Sequence, residues 1–177
     1  MMLFACITGE GLHEETKEVI CLEREEFLRL AGKYKDTVFR VALNVLGSPH
    51  DAEDVVQDTL LRLWKRSEPF ESDAHAKYWL IRVVLNLCKN MFRAPWRRHV
   101  PLEDADAVAA FDSPEQGALY AEVMSLPEKY RTVLYLFYYE DYSVKEIAKL
   151  LGVSQSAVTT RLSRARQTLK SELTEVS

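Results

Sequence analysis

Apolar residues recur at three- and four-residue intervals through most of this 177-residue chain, and Gly and Pro punctuate the runs. That pattern restricts the fold to packed helices, because a 3.6-residue period gathers apolar side chains on one face, whereas a strand alternates at every second residue. The first run, Glu23–Leu46, puts Phe27, Leu30, Ala31, Tyr34, Val38, Val41, Ala42 and Val45 on one face and stops at Gly47. Ser48-Pro49-His50-Asp51 then opens a second helix. Serine offers a cap oxygen, proline presets the first helical position, and the acid favours the positive end of the helix dipole. This helix is predicted to run to about Lys65. A loop over Ser67–Asp73, containing Pro69, leads to a third helix over about Ala74–Arg93, after which Pro95 and Pro101 break the chain.

Residues 101–115 hold Glu103, Asp104, Asp106, Asp112 and Glu115, several alanines and no basic group. Such a segment has little apolar surface to offset the entropy of ordering and reads as a flexible acidic tether. Beyond Ser113-Pro114, helices are expected over about Glu115–Ser125, Pro127–Tyr139, Ser143–Leu151 and Ser154–Leu173. The run Val133–Tyr139 has strand-like composition but is bounded by helix signals, so it reads as buried helix. The expectation is an all-α protein of two small helical domains joined by an acidic flexible linker. Its parts are an N-terminal extension (1–21), a first helical domain (22–98), the linker (99–113) and a helix-turn-helix domain (114–177).

Composition closes off other classes. At 47% apolar and 28% charged the chain can bury a core. Three scattered cysteines, Cys6, Cys21 and Cys88, provide neither a disulfide framework nor a zinc site. No apolar stretch approaches the roughly 20 residues that span a bilayer, and Met1–Ile7 lacks the basic flank of a signal peptide. A soluble, cytoplasmic protein is expected. His13, His50, His75 and His99 are dispersed, no Gly-rich phosphate loop occurs, and no nucleophile–base pair can be read. These features argue against an enzyme, and no cofactor or metal is expected.

The net charge of −4 conceals an alternation. Residues 1–76 carry 9 basic and 15 acidic side chains, and 77–100 carry 6 basic and no acidic ones. Residues 101–141 carry 2 basic and 9 acidic, and 142–177 carry 6 basic and 3 acidic. Two basic blocks in an acidic chain point to an anionic partner met at two places.

The second basic block has the spacing of a helix-turn-helix. In Ser143–Arg166, Ala148 is small where helices must cross closely, Gly152 can take the left-handed conformation that ends a helix, and Val158 fills the contact between the two helices. Ser154 can cap the second helix, whose inward side is Val158, Leu162, Ala165 and Leu169. Outward stand Ser156, Thr160, Ser163, Arg164 and Gln167, flanked by Thr159, Arg161, Arg166 and Lys170. Hydroxyl, amide and guanidinium groups can read base edges in a major groove while the flanking cations neutralise phosphates.

The first basic block lies on helix 74–93, which is apolar around most of its circumference, with Cys88 among the core residues. Trp79, Arg82, Asn86, Lys89, Asn90 and Arg93 gather in an arc of roughly 100°, which His75 extends toward the helix start and Trp96, Arg97 and Arg98 follow. Cations, a Trp and two amides on one acid-free stripe can follow a phosphate backbone and also offer stacking and hydrogen-bonding groups to bases.

Taken in order, DAEDVVQDTLLRLW, KYWLIRVVLNLCKN, an acidic linker and LPEKYRTVLYLFYYEDYSVKEIAKLLGVSQSAVTTRLSRAR resemble bacterial RNA polymerase sigma factors of the extracytoplasmic-function group, over about Arg24–Leu173. The resemblance implies transcription initiation, with core RNA polymerase (the β′ coiled coil and the β subunit) and promoter DNA, duplex and melted, as partners. A partner of the anti-sigma class is also expected. It implies a polymerase-binding face at Asp54, Gln57, Asp58 and Leu61, which share one helix side at i, i+3, i+4 and i+7. It implies minus-ten DNA contacts at Phe70, His75, Trp79, Arg82, Asn86, Lys89, Asn90 and Arg93. Minus-thirty-five contacts would fall on Ser154, Gln155, Ser156, Thr159, Thr160, Arg161, Ser163, Arg164 and Arg166. The tether would pass through the polymerase's active-site and RNA-exit region.

The chain departs from the family pattern at Thr159, where Lys or Arg is common, and in the loop Glu71–Ala76, which lacks the usual Gly and second aromatic. The alternative from another class is a stand-alone helix-turn-helix regulator with a dimerisation or sensor domain. It would bind duplex DNA without polymerase. A helical adaptor that binds only protein leaves the two basic faces unexplained.

Overall fold

Helix α1 (Arg24–Leu46) is the longest element of the computed structural model, which describes residues 22–93 and 122–175. It ends as its sequence predicts: Gly47 is left-handed (φ 70°) and its N–H donates to the Leu43 carbonyl. Helix α2 (Pro49–Trp64) starts at Ser48, whose hydroxyl accepts from the Asp51 N–H at 3.3 Å. Helix α3 (Asp73–Arg93) begins one residue earlier than the spacing predicts. Asp73, its first residue, is held by ion pairs to Arg29 and Lys33 of α1, the first at 2.8 Å. The Arg29 and Lys33 contacts hold the Asp73 carboxyl down at about 2. Leu30, Val38, Val41, Val55, Leu63, Leu80, Ile81 and Val84 are all buried between the three helices. Cys88 belongs to this core, and burial pushes its thiol up to about 12.

The second group comprises α4 (Glu128–Tyr138), α5 (Val144–Leu151) and α6 (Gln155–Glu175), preceded by a helical turn at 122–125. Ser143 and Glu146 close a capping box on α5, with the Glu146 carboxylate accepting from the Ser143 N–H at 2.9 Å. Gly152, left-handed at φ 68°, ends α5 one turn after Ala148. Val158, Leu162 and Ala165 of α6 are buried against α4 and α5, and Leu169 packs against the same cluster. The turn between α4 and α5 places Asp141 at φ 58°, a conformation L residues other than Asn and Asp seldom adopt. Every described residue in a regular element is helical, so the all-α expectation holds.

The two groups pack against each other, α1 against α4 and α3 against α5, in one continuous buried cluster. Arg131 of α4 is the centre of this seam. Its Nε donates to the Asn44 carbonyl and its Nη2 to the Val45 carbonyl at 2.9 Å, both at the C-terminal end of α1. Its Nη1 donates to the carbonyls of Met124 and Leu126 at 3.3 and 3.2 Å. The last carbonyls of a helix lack intrahelical partners and attract a cation. α1 has no basic residue in its last turn, so the second group supplies the cation. Nearby, Lys77 of α3 pairs with the buried Glu140 at 2.8 Å, and Tyr78 meets Tyr142 edge-on with centroids 6.1 Å apart.

The N-terminal extension, the acidic linker, most of the helix expected over Glu115–Ser125 and the residues Trp96, Arg97 and Arg98 lie outside the described residues.

Candidate nucleic-acid interface

Helix α3 divides as its periodicity predicts. Leu80, Ile81, Val83, Val84, Leu85, Leu87 and Cys88 are buried, while Arg82, Asn86, Lys89 and Asn90 stand exposed along one stripe. Phe92, which the sequence groups with the apolar circumference, is 42% exposed. The side chain of Arg93 lies outside the described residues. Because the opposite side of α3 is fixed in the core, the stripe is presented on a rigid element rather than a loop.

At the start of the stripe the structure gathers Phe70, His75 and Trp79. Phe70 meets His75 and Trp79 edge-on, each at a centroid distance of 5.6 Å. The fourth member, Arg66, is hardly visible in the sequence. Its guanidinium lies 4.6 Å from the Phe70 ring centre and 5.2 Å from that of Trp79, and it pairs with Glu68 at 3.2 Å. A cation four residues before an aromatic in a loop was the only available signal. The Ser72 hydroxyl accepts from the His75 N–H at 3.1 Å and fixes the join between loop and helix.

Helix α6 presents a second polar face. Ser154 caps it, accepting from the Ala157 N–H at 3.2 Å. Gln155, Ser156, Thr159, Thr160, Ser163, Arg164, Arg166, Gln167 and Lys170 are exposed, and Arg161 is half-buried. Several of these groups are tied to their own fold. Thr159 Oγ1 donates to the Gln155 carbonyl at 3.1 Å. Arg166 Nε donates to the Tyr138 hydroxyl at 2.9 Å, and its guanidinium lies 5.9 and 5.6 Å from the Phe137 and Tyr138 ring centres. A hydrogen bond from Arg164 holds the Tyr130 phenol below its ordinary value.

A third face lies on α2. Asp54, Gln57, Asp58 and Leu61 are exposed on one side, with Leu61 at 54%, while Val56 and Leu63 are buried and Leu60 is half-buried. His50 Nδ1 lies 3.8 Å from the Asp54 carboxylate. An apolar side chain among carboxylates suits a basic partner with an apolar ridge.

Comparison with known proteins places the whole arrangement. Residues 30–98 match the family described as sigma-70 region 2, and residues 116–169 match sigma-70 region 4. The chain is 35% identical over 181 residues to the ECF RNA polymerase sigma factor SigE of Mycolicibacterium smegmatis, covering 96% of this chain and 69% of that one. It is 34% identical over 177 residues to the probable RNA polymerase sigma factor RfaY of Xanthomonas campestris, covering 92% of this chain but only 44% of that longer relative. In fold it is similar to the sigma factor RpoE of Bartonella quintana, solved in complex with the anti-sigma factor NepR, with a TM-score of 0.67 at 23% identity over 85% of this chain and 98% of that one. Two sigma-70 regions in this order, on a fold and sequence shared along nearly the whole chain, make it a member of the extracytoplasmic-function group of RNA polymerase sigma factors, which direct RNA polymerase in transcription initiation.

Proposed function

We propose that the three exposed faces divide the work of initiation between them. The α2 face of Asp54, Gln57, Asp58 and Leu61 docks on core polymerase at the β′ coiled coil. The α3 stripe, with Phe70, His75 and Trp79 at its head, contacts the minus-ten element and holds bases that have left the duplex. The α6 face reads the minus-thirty-five element as duplex. The working units are residues 22–98 and 114–177, with 99–113 as the tether. The protein acts in the cytoplasm without catalysing a reaction of its own, and it is held by an anti-sigma factor, as RpoE is by NepR.

The observation that supports this most is the pairing of two exposed polar faces on different helices, Arg82, Asn86, Lys89 and Asn90 on α3 and Ser156, Thr160, Ser163 and Arg164 on α6. Unstacked bases expose faces and edges that a duplex hides, whereas a helix with short polar groups suits a major groove.

The test is co-elution of the purified protein with core polymerase, followed by transcription from a promoter selected with it. Asp58→Arg should abolish co-elution while helicity by circular dichroism stays unchanged, because like charges at an interface oppose association. Normal co-elution of that variant would sink the α2 assignment. Promoter-specific duplex binding with no effect of polymerase would favour the stand-alone regulator instead.

A further inference from the structure

Arg66 lies just past the end of α2, where its backbone N–H donates to the Leu63 carbonyl at 3.2 Å. Leu63 is fully buried, so the root of the Arg66 side chain is anchored in the first helical group. From there the guanidinium lies 4.6 Å from the ring centre of Phe70 and 5.2 Å from that of Trp79, two rings that themselves meet edge-on. Its face is thus occupied by aromatic rings, a role that suits arginine because its head is planar and weakly hydrated. Its edge is little used. Nε is buried and donates to no acceptor among the described residues. Nη2 donates to one oxygen of Glu68 at 3.2 Å, and the Glu68 side chain is 80% exposed.

We propose that Arg66 binds a backbone phosphate of the melted minus-ten strand, and that the Glu68 carboxylate holds the place of that phosphate in the free protein. The inference rests on the proposed contact between the α3 stripe and the minus-ten element, to which it adds a phosphate site supplied from the end of α2.

A carboxylate and a phosphate offer the same anionic oxygens to a guanidinium, but a phosphate can take two parallel N–H bonds where Glu68 takes one. An ion pair as exposed as this one is screened and contributes little, so its exchange is easy. The cation itself is already steadied on its face, and less side-chain freedom is lost when the phosphate arrives. The head of the stripe also needs such a group. Along α3 the first stripe cation after Trp79 is Arg82, about one turn further on, and Lys77 is engaged by Glu140. A strand carries a phosphate with every base it stacks, so an aromatic platform works best with a cation beside it. Arg66 supplies that cation against both rings of the platform.

The test uses the full-length protein bound to core polymerase and single-stranded oligonucleotides spanning the minus-ten element of a promoter selected with that complex. Arg66→Gln keeps a flat polar head and removes the charge. It should weaken strand binding by about fivefold and flatten the salt dependence by about 0.7. Oligonucleotides with one uncharged methylphosphonate linkage locate the contact: at one linkage the wild type should lose affinity while Arg66→Gln loses none. Glu68→Gln, too exposed to disturb the core, should raise affinity by about two- to fivefold, and it should have no effect in the Arg66→Gln background. The proposal is overturned if Arg66→Gln keeps the salt slope of the wild type, or if both proteins show the same losses at every linkage. It is also overturned if Glu68→Gln strengthens binding equally with and without Arg66, since the carboxylate would then merely repel DNA at large. Arg82→Ala and Asn86→Ala are titrated alongside. If they weaken strand binding and Arg66→Gln does not, the Arg66 site falls alone; if none of the three does, the minus-ten reading of α3 falls with it.

Discussion

Helices α3 and α6 both turn polar side chains outward, but they secure them by opposite means. In α3 the opposite side is packed almost all round with Leu, Ile and Val, and Arg82, Asn86, Lys89 and Asn90 stand clear of it. In α6 the inner side is a narrow row, Val158, Leu162 and Ala165, and the arginines are steadied from outside by aromatic residues of α4: Arg164 by Tyr130, Arg166 by Phe137 and Tyr138. The difference matches what each face would have to do. Base edges in a duplex sit in fixed positions, and donors held beforehand lose less freedom in meeting them. A melted strand has no fixed geometry, and long side chains free to follow it are better suited than clamped ones.

Five substitutions test this contrast. The largest effect should come from Ile81→Ala, which hollows the side of α3 on which the stripe depends. Loss of a fully buried Ile costs about 2–5 kcal/mol, and urea unfolding followed by circular dichroism should show the drop. A change of only a few tenths of a kcal/mol would mean that α3 is not anchored as described.

Next in size are Arg82→Ala and Asn86→Ala. Each should lower permanganate reactivity of promoter thymines and leave closed-complex affinity nearly unchanged, because base contacts in the range of about 1–3 kcal/mol become available only after unstacking. Equal losses in closed binding and melting would show that the stripe does not distinguish strand from duplex.

Tyr138→Phe isolates the opposite strategy, since it removes the hydroxyl that accepts from Arg166 and keeps both the ring and the charge. Affinity for minus-thirty-five duplex should fall by about 0.5–1.5 kcal/mol. The slope against salt should hold, because no phosphate-neutralising cation is lost. A shallower slope would place Arg166 on phosphate in a manner that depends on Tyr138.

The smallest effect concerns the anchoring of α3 at its first residue. Arg29 and Lys33 hold the Asp73 carboxyl down at about 2. A depressed carboxylate adds stability above its unfolded value near 3.9, and that stability is lost as pH falls through about 2. Wild type and Asp73→Asn should therefore converge in stability below that pH and separate above it. Because these side chains are largely exposed and screened, the gap at neutral pH should be small and should shrink further in salt. A constant gap across the titration would mean that the charge of Asp73 is not what anchors α3.

Most of the helical framework could be read from the chain because its signals are local. Gly47, Ser48-Pro49, Ser154 and Gly152 each act within a turn or two of themselves, and helix capping is a local affair. The stripe on α3 was equally readable, since helical periodicity alone sorts Arg82, Asn86, Lys89 and Asn90 from Leu80 and Ile81. Arg131 was not. An arginine between Tyr130 and Thr132 looks like any surface cation, and its partners Asn44 and Val45 lie more than 80 residues away. Nothing in a one-dimensional pattern says which distant helix end an arginine will reach. Arg66 is illegible for a related reason: two aromatics from different elements, Phe70 in the loop and Trp79 in α3, must converge before its position carries meaning. Helical periodicity implies the exposure of Arg164 and Arg166 but not their attachment to α4, because α4 and α6 come into direct contact only once the chain between them has folded back.

Cys88 has a consequence of a different kind. Burial pushes its thiol up to about 12, so the thiol form dominates at neutral pH, and the thiolate is the form that reacts with peroxides, disulfides and alkylating reagents. The core around α3 is thus chemically quiet under oxidative conditions that would modify an exposed low-pKa thiol. Maleimide or iodoacetamide labels should leave this position unreacted in the folded protein, so reaction at Cys88 becomes a clock for unfolding of the first helical group.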